Sequence, residues 1–348
     1  MLRPDRRLVA LQLATGLAIC GFGWGTSLAG VEPVRGYWFD FVWAGYILAA
    51  DAVVWSRAGR SLLHGGGWRR VAALSALSAP LWWAFEIANW RLENWSYVGT
   101  SVYGGQAHVV LKSLSFVFVL PALATSRDLL RSFVRFPHPP AVPLPSWTAA
   151  ALVVFGLASV PLLYLFPDQA FPLVWVAPWC VLDGIAELRG RRPNVLALVR
   201  EGRAGPVLLI AAAGLCTGIL WELLNWGAVP HWDYRIPYVG FLPLFEMPLL
   251  GYLGYPPFAL LADAFWRAVT GSRGGLTEEP VTDLGEGGLP RRPSRDKLGP
   301  GTLESDELDG RDERWAPASL FCWSSSSSSC SGSRSPRWSR CCRSTSGG

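Results

Sequence analysis

The stretch ILWELLNWGAVPHWDY, Ile219–Tyr234, decides how the chain is read. It is the end of an apolar helix carrying Glu222, Asn225 and Trp226, followed by a loop with His231, Trp232 and Tyr234. An earlier stretch, LWWAFEIANWRLENWSY at Leu81–Tyr97, repeats the pattern with Glu86, Asn89, Trp90, Trp95 and Tyr97. E-x-x-N-W followed by W-x-Y therefore occurs twice in one chain. Residues three and four apart share a helical face, so each Glu, Asn and Trp is expected on one side of its helix. An ionisable group in an apolar helix is costly and usually faces a bundle interior or a watery cavity.

Composition places these helices in a membrane. Of 348 residues, 51% are hydrophobic and 16% charged, against roughly a quarter charged in soluble chains. Nineteen tryptophans, many at the ends of apolar runs, suit the membrane–water interface. The net charge of +5 comes mostly from arginines flanking apolar runs, and nothing in it points to nucleic acid. Cys20, Cys180 and Cys216 lie in apolar runs as small buried residues; no C-x-x-C spacing appears.

A bilayer core takes about 20 apolar residues per helix. Eight segments qualify: Leu8–Leu28, Tyr37–Trp55, Val71–Trp90, Ala107–Thr125, Trp147–Phe166, Phe171–Ala186, Pro206–Trp226 and Phe241–Val269. The sixth is short, and Gly251, Gly254 and Pro256–Pro257 predict a kink or break in the eighth. Arginines crowd alternate loops: Arg3, Arg6 and Arg7, then Arg57, Arg60, Arg69 and Arg70, then Arg127, Arg131 and Arg135. Arg189 to Arg203 and Arg267 with Arg273 continue the series, whereas the other loops hold only Arg35, Arg91 and Arg235. The positive-inside rule then puts both termini in the cytoplasm and both E-x-x-N-W stretches at the outer face of a cell's inner (plasma) membrane.

The repeat extends beyond its motif. Trp43, Asp51, Arg57 and Arg60 match Trp175, Asp183, Arg189 and Arg192 at a single offset. The expectation is an all-α polytopic bundle of about eight helices in two parallel four-helix repeats, residues 1–136 and 137–269, related by a pseudo-twofold axis along the membrane normal. Residues 270–348 are polar, then low-complexity, and are expected to be disordered. The terminal Ser/Cys/Trp/Arg text, SSSSSS and CC included, has two readings: a Ser-rich tail, or a frameshift near Pro317–Leu320 in a Leu/Ala-rich coding stretch.

The candidate ligand site comprises Glu86, Asn89, Trp90, Lys112, Glu222, Asn225, Trp226, His231, Trp232, Tyr234 and Glu246. Two readings stay open for the Glu and Asn residues: interhelical hydrogen bonding, or a shared polar cavity. Lys112 is expected to pair with Glu86, Glu222 or Glu246, or to anchor an anionic ligand. His108 and His231 fall near the carboxylates in depth, but no helix has the Glu-x-x-His or H-E-x-x-H spacing of metal sites. No metal or cofactor is expected. Asp51 and Asp183 read as local caps or as an inner gate.

The segment Trp232–Glu246, with W-x-Y, Gly240, Pro243 and Glu246, resembles the W-x-Y…G…P-x-E-E stretch of membrane lycopene cyclase domains. Here the carboxylate falls one residue later and is single, Met247 following it, and the first-half copy lacks the proline and glutamate. Three functional classes remain. A permease for a small amphipathic molecule is the first reading, since parallel repeats suit transport. A membrane-embedded enzyme on a lipid or isoprenoid, with a Glu as general acid, is the second. A non-catalytic assembly subunit is the third. A transport path needs polar residues continuing past Glu222 to the cytoplasmic end; an enzyme pocket is closed there and open to lipid.

Overall fold

A computed structural model describes residues 4–65, 67–100, 105–271 and 275–276, without the side chains of 105–108. His108, the tail and the frameshift reading lie outside the described residues or side chains. The chain folds as α1 (Arg6–Leu28), α2 (Trp38–Ala58), α3 (Gly67–Leu92), β1 (Trp95–Val98), α4 (Gly105–Phe116) and α5 (Val119–Phe133). It continues with α6 (Thr148–Leu165), α7 (Pro167–Ala170), α8 (Leu173–Leu188), α9 (Val195–Arg200), α10 (Gly205–Asn225), β2 (His231–Tyr234), β3 (Pro243–Leu244), β4 (Met247–Pro248) and α11 (Tyr255–Thr270).

Among the described residues, six helices are long and apolar enough to cross a membrane: α1, Val34–Ala58, α3, Val109–Phe133, α6 and α10. The chain is mostly helical, consistent with an α-helical membrane protein. The expected sixth span is α8, as short as the sequence suggested at 16 residues, while the eighth is shorter than expected, with α11 also 16 residues long. The eighth is corrected most. Residues 241–254 are apolar yet form two short strands and a 3₁₀ turn, and the α-helix starts only at Tyr255. Glycine and proline there deny the backbone a continuous helical ladder.

Small residues set the closest helix pairs. At Gly16 an added Cβ would stand 2.5 Å from the Ala49 nitrogen, and at Gly45 one would stand 2.5 Å from the Gly16 oxygen. Gly156 and Gly184 play the same part between α6 and α8. In both halves the first helix packs on the second, and the second and third both pack on the last. Asp51 accepts the Leu63 N–H at 3.0 Å and Asp183 the Val195 N–H at 2.9 Å, each twelve residues on. These aspartates tie down the loops that follow their helices, the capping role rather than a gate.

The fourth helix breaks between Phe116 and Val119. Ser78 bridges that break, donating to the Phe116 carbonyl and accepting from the Leu120 N–H. The main core lies between α3, α5, α10 and α11, with Leu74, Leu81, Phe85, Leu120, Leu123, Ala213, Phe258 and Ala259 buried together. Helix ends sort into two groups. Arg57 bonds the Ser132 carbonyl, Arg267 the Pro193 carbonyl and Arg70 the Gly275 carbonyl at one end; β1 and β2 close the other.

Candidate functional site

Each E-x-x-N-W stretch ends its helix and turns into a short strand, and the two strands pair. β1 and β2 run antiparallel with Trp95 opposite Tyr234 and Tyr97 opposite Trp232. The asparagines hold this turn. Asn225 donates to the Trp232 carbonyl at 2.8 Å and accepts its N–H at 3.0 Å. Asn89 donates to the Trp95 carbonyl at 2.8 Å and accepts the Asn94 and Trp95 N–H groups. A side chain that satisfies both polar groups of a buried residue acts as an extra strand.

With the strands so placed, each W-x-Y tyrosine reaches back to its own glutamate. Tyr97 donates to Glu86 Oε1 at 2.7 Å, joined there by Trp95 Nε1 at 3.0 Å and Trp82 Nε1 at 3.3 Å. Tyr234 donates to Glu222 Oε1 at 2.7 Å and accepts Trp232 Nε1 at 2.8 Å; Tyr255 also donates to that oxygen. Burial, then the adjacent carboxyl, pushes the Tyr97 and Tyr234 phenols well above their ordinary range. Both therefore remain proton-bearing donors.

The two carboxyls differ in one respect. Lys112 Nζ lies 3.5 Å from Glu86 Oε2 and 3.6 Å from the Tyr97 ring centre. Glu222 is 0% exposed, the Tyr234 and Tyr255 hydroxyls donate to its Oε1, and among the described residues its Oε2 has no hydrogen-bond partner. Of the three acceptors open to Lys112 in the sequence, it pairs with Glu86.

Between the halves lies a cavity of about 520 Å³. Its walls are Trp82, Trp95, Trp175, Trp221, Trp232, Phe116 and Phe258, with Tyr97, Tyr234, Tyr255, Lys112, Ser115, Asn94 and His231 as polar points. Trp82 and Trp221 stack at 5.7 Å, Phe85 on Trp175 at 4.8 Å. The walls do not include Glu86 or Glu222. Both carboxyls stand one layer back, reaching the cavity through tyrosine hydroxyls.

Other expectations need correcting. Trp90 is 73% and Trp226 56% exposed, so both face away from the cavity. Trp90 sits one residue past the clamping Asn89, a helical step of about 100°, and Trp226 leaves the helix with extended backbone. Glu246 is half-buried in the turn between β3 and β4 and does not line the cavity; Pro243 is exposed beside it. His231 does line it, with Nε2 3.2 Å from Asp233. Among the described residues no three His, Cys, Asp or Glu side chains could hold a metal ion together. Tyr255, Trp82, Trp175 and Trp221 were absent from the expected site. Trp82, four residues before Glu86, carried a usable signal in its helical spacing; Tyr255 carried none. Comparison with known protein families, with characterised proteins and with solved structures finds no match.

Proposed function

We propose that the chain is a membrane-embedded enzyme in which Glu222, acting through Tyr234 and Tyr255, supplies a proton to an apolar, isoprenoid-type substrate held in the aromatic cavity. The observation that carries this reading is the environment of Glu222. A carboxyl at zero exposure with one oxygen unpartnered among the described residues, and uncharged donors on the other, is least costly as the neutral acid. Its twin Glu86 has an ammonium beside it and serves as an ion-paired anchor.

The chemistry follows from the walls. A tyrosine hydroxyl gives its proton to one carbon of a double bond and takes the Glu222 proton in turn. The π electrons form the new C–H bond and leave a cation on the neighbouring carbon. The faces of Trp82, Trp95, Trp175 and Trp221 stabilise such a cation. Loss of a proton from an adjacent carbon, returned through tyrosine to Glu222, ends a double-bond shift or a ring closure with no change of oxidation state.

In this reading the arginine-rich end faces the cytoplasm with both termini, and β1 and β2 lie at the outer face. The two halves are tandem four-helix repeats, a reading supported by their shared packing order and matching aspartate caps. The permease reading is weaker. From the cavity toward the arginine-rich end, α5, α10 and α11 are packed by Leu120, Leu123, Ala213, Ala259 and Ala262. Thr217 there bonds its own helix at Ala213 and Thr125 its own at Pro121, which does not favour a polar path from Glu222.

The test uses membranes containing the full chain, incubated in D₂O with unsaturated isoprenoid hydrocarbons and read by mass spectrometry. A product isomeric with its substrate and carrying one solvent deuterium is expected from the native chain. Glu222→Gln, folded to similar yield, should abolish it. Unchanged turnover in Glu222→Gln would refute the assignment.

A further inference from the structure

The apolar segment that fails to become a helix forms one wall of the cavity. Between Arg235 and Tyr255 the only charged side chain is Glu246. Tyr238, Phe241, Leu242, Leu244, Leu249 and Leu253 along it are exposed. In a water-facing loop this would be a large unexplained apolar surface. Here it adjoins Trp226, just past the end of α10, itself exposed and in ring contact with Phe245 at 5.9 Å. Tyr238, Leu242 and Phe245 hold positive φ angles of 61°, 51° and 58°, a conformation that costs non-glycine residues free energy. The segment also lines the cavity, through Ile236, Val239, Met247, Leu250 and Leu253.

Two of those side chains belong to both surfaces. Leu253 lines the cavity and is 68% exposed; Leu250 lines it and is exposed as well. The edge of the cavity there is formed by leucine side chains of the 3₁₀ turn. Gly251 lies beside them, and behind it stands Met247, another unbranched, adaptable side chain.

We infer that Leu250–Leu253 forms a lateral portal through which acyl or isoprenoid chains pass directly between the bilayer and the cavity, the exposed apolar side chains of segment 236–254 dipping into the membrane interface. The ligand is thus drawn from the membrane and never crosses water. The inference rests on reading the cavity as an apolar-ligand site, but its test reads access alone and is independent of Glu222 chemistry.

The full chain is reconstituted with Leu253→Cys as the single reactive cysteine, the other cysteines being serine, and labelled with bimane. Brominated phosphatidylcholine should quench the label strongly and aqueous iodide should not; the reverse pattern would overturn the lipid contact. In the same preparation, an apolar photoactivatable diazirine is supplied through the bilayer and its insertions are mapped. Insertion is expected at Trp221 and Phe258, falling several-fold when a bulky adduct occupies the thiol introduced by Leu253→Cys, while insertion at Leu157 and Val160 on α6 stays constant. Cavity insertion that ignores the adduct, or none at all with α6 labelled, would overturn the portal. Tyr238→Cys, at an exposed site off the cavity wall, repeats the quenching arm should the first variant fold poorly.

Discussion

Replacing Asn225 by alanine separates the turn-holding role of the motif from its chemistry. The side chain is 0% exposed and makes both bonds to the Trp232 backbone. Alanine leaves one buried N–H and one buried carbonyl, each costing about 1–3 kcal/mol when unpaired. A total loss of roughly 2–6 kcal/mol is therefore expected. Asn89→Ala removes a similar set of bonds, but Asn89 is half-exposed and solvent can take over, so about 1–2 kcal/mol is expected. Unfolding in mixed detergent–SDS micelles, followed by tryptophan fluorescence, measures both. Asn225→Ala within about 0.5 kcal/mol of the native chain, an ordinary surface effect, would refute the clamp; so would a larger loss for Asn89→Ala.

Glu86→Gln should cost up to about 3 kcal/mol, the low end for a broken buried pair, and adding Lys112→Met should recover much of it. A double-mutant cycle in the same micelles checks the coupling; additive losses would remove the ion pair as a stabilising unit. Gly218→Ala puts a Cβ 2.3 Å from the Tyr255 ring, so the ring must move off Glu222. Overpacking of about 1–3 kcal/mol is expected in thermal melts, with turnover falling further than folded yield. Cysteines at Ser96 and Asp233 should react with a membrane-impermeant thiol reagent in intact cells, and reaction only after lysis would invert the orientation.

The motif was legible because Glu and Asn at i and i+3 point the same way on a helix, whatever it packs against. The local aspartate caps were legible too, since their spacing to the following loop is short. Pairing of β1 with β2 was not, because two four-residue strands far apart in sequence leave no periodic trace. Tyr255 entered the site for a tertiary reason: Gly218 leaves room for its ring against α10. Hydropathy misread residues 241–254, since an apolar cavity wall has the composition of a spanning helix. Position also separated the two glutamates. Identical motifs gave Glu86 and Glu222 the same rank, and only the neighbours supplied by α4 and α11, Lys112 and Tyr255, tell them apart.

That difference is the centre of the account, and infrared spectroscopy of the reconstituted protein measures it directly. The carbonyl stretch of a neutral carboxylic acid is resolved from ionised carboxylates and shifts in D₂O. The account predicts one such component that disappears in Glu222→Gln and persists in Glu86→Gln. A component that survives Glu222→Gln unchanged, or that vanishes only with Glu86→Gln, would contradict it.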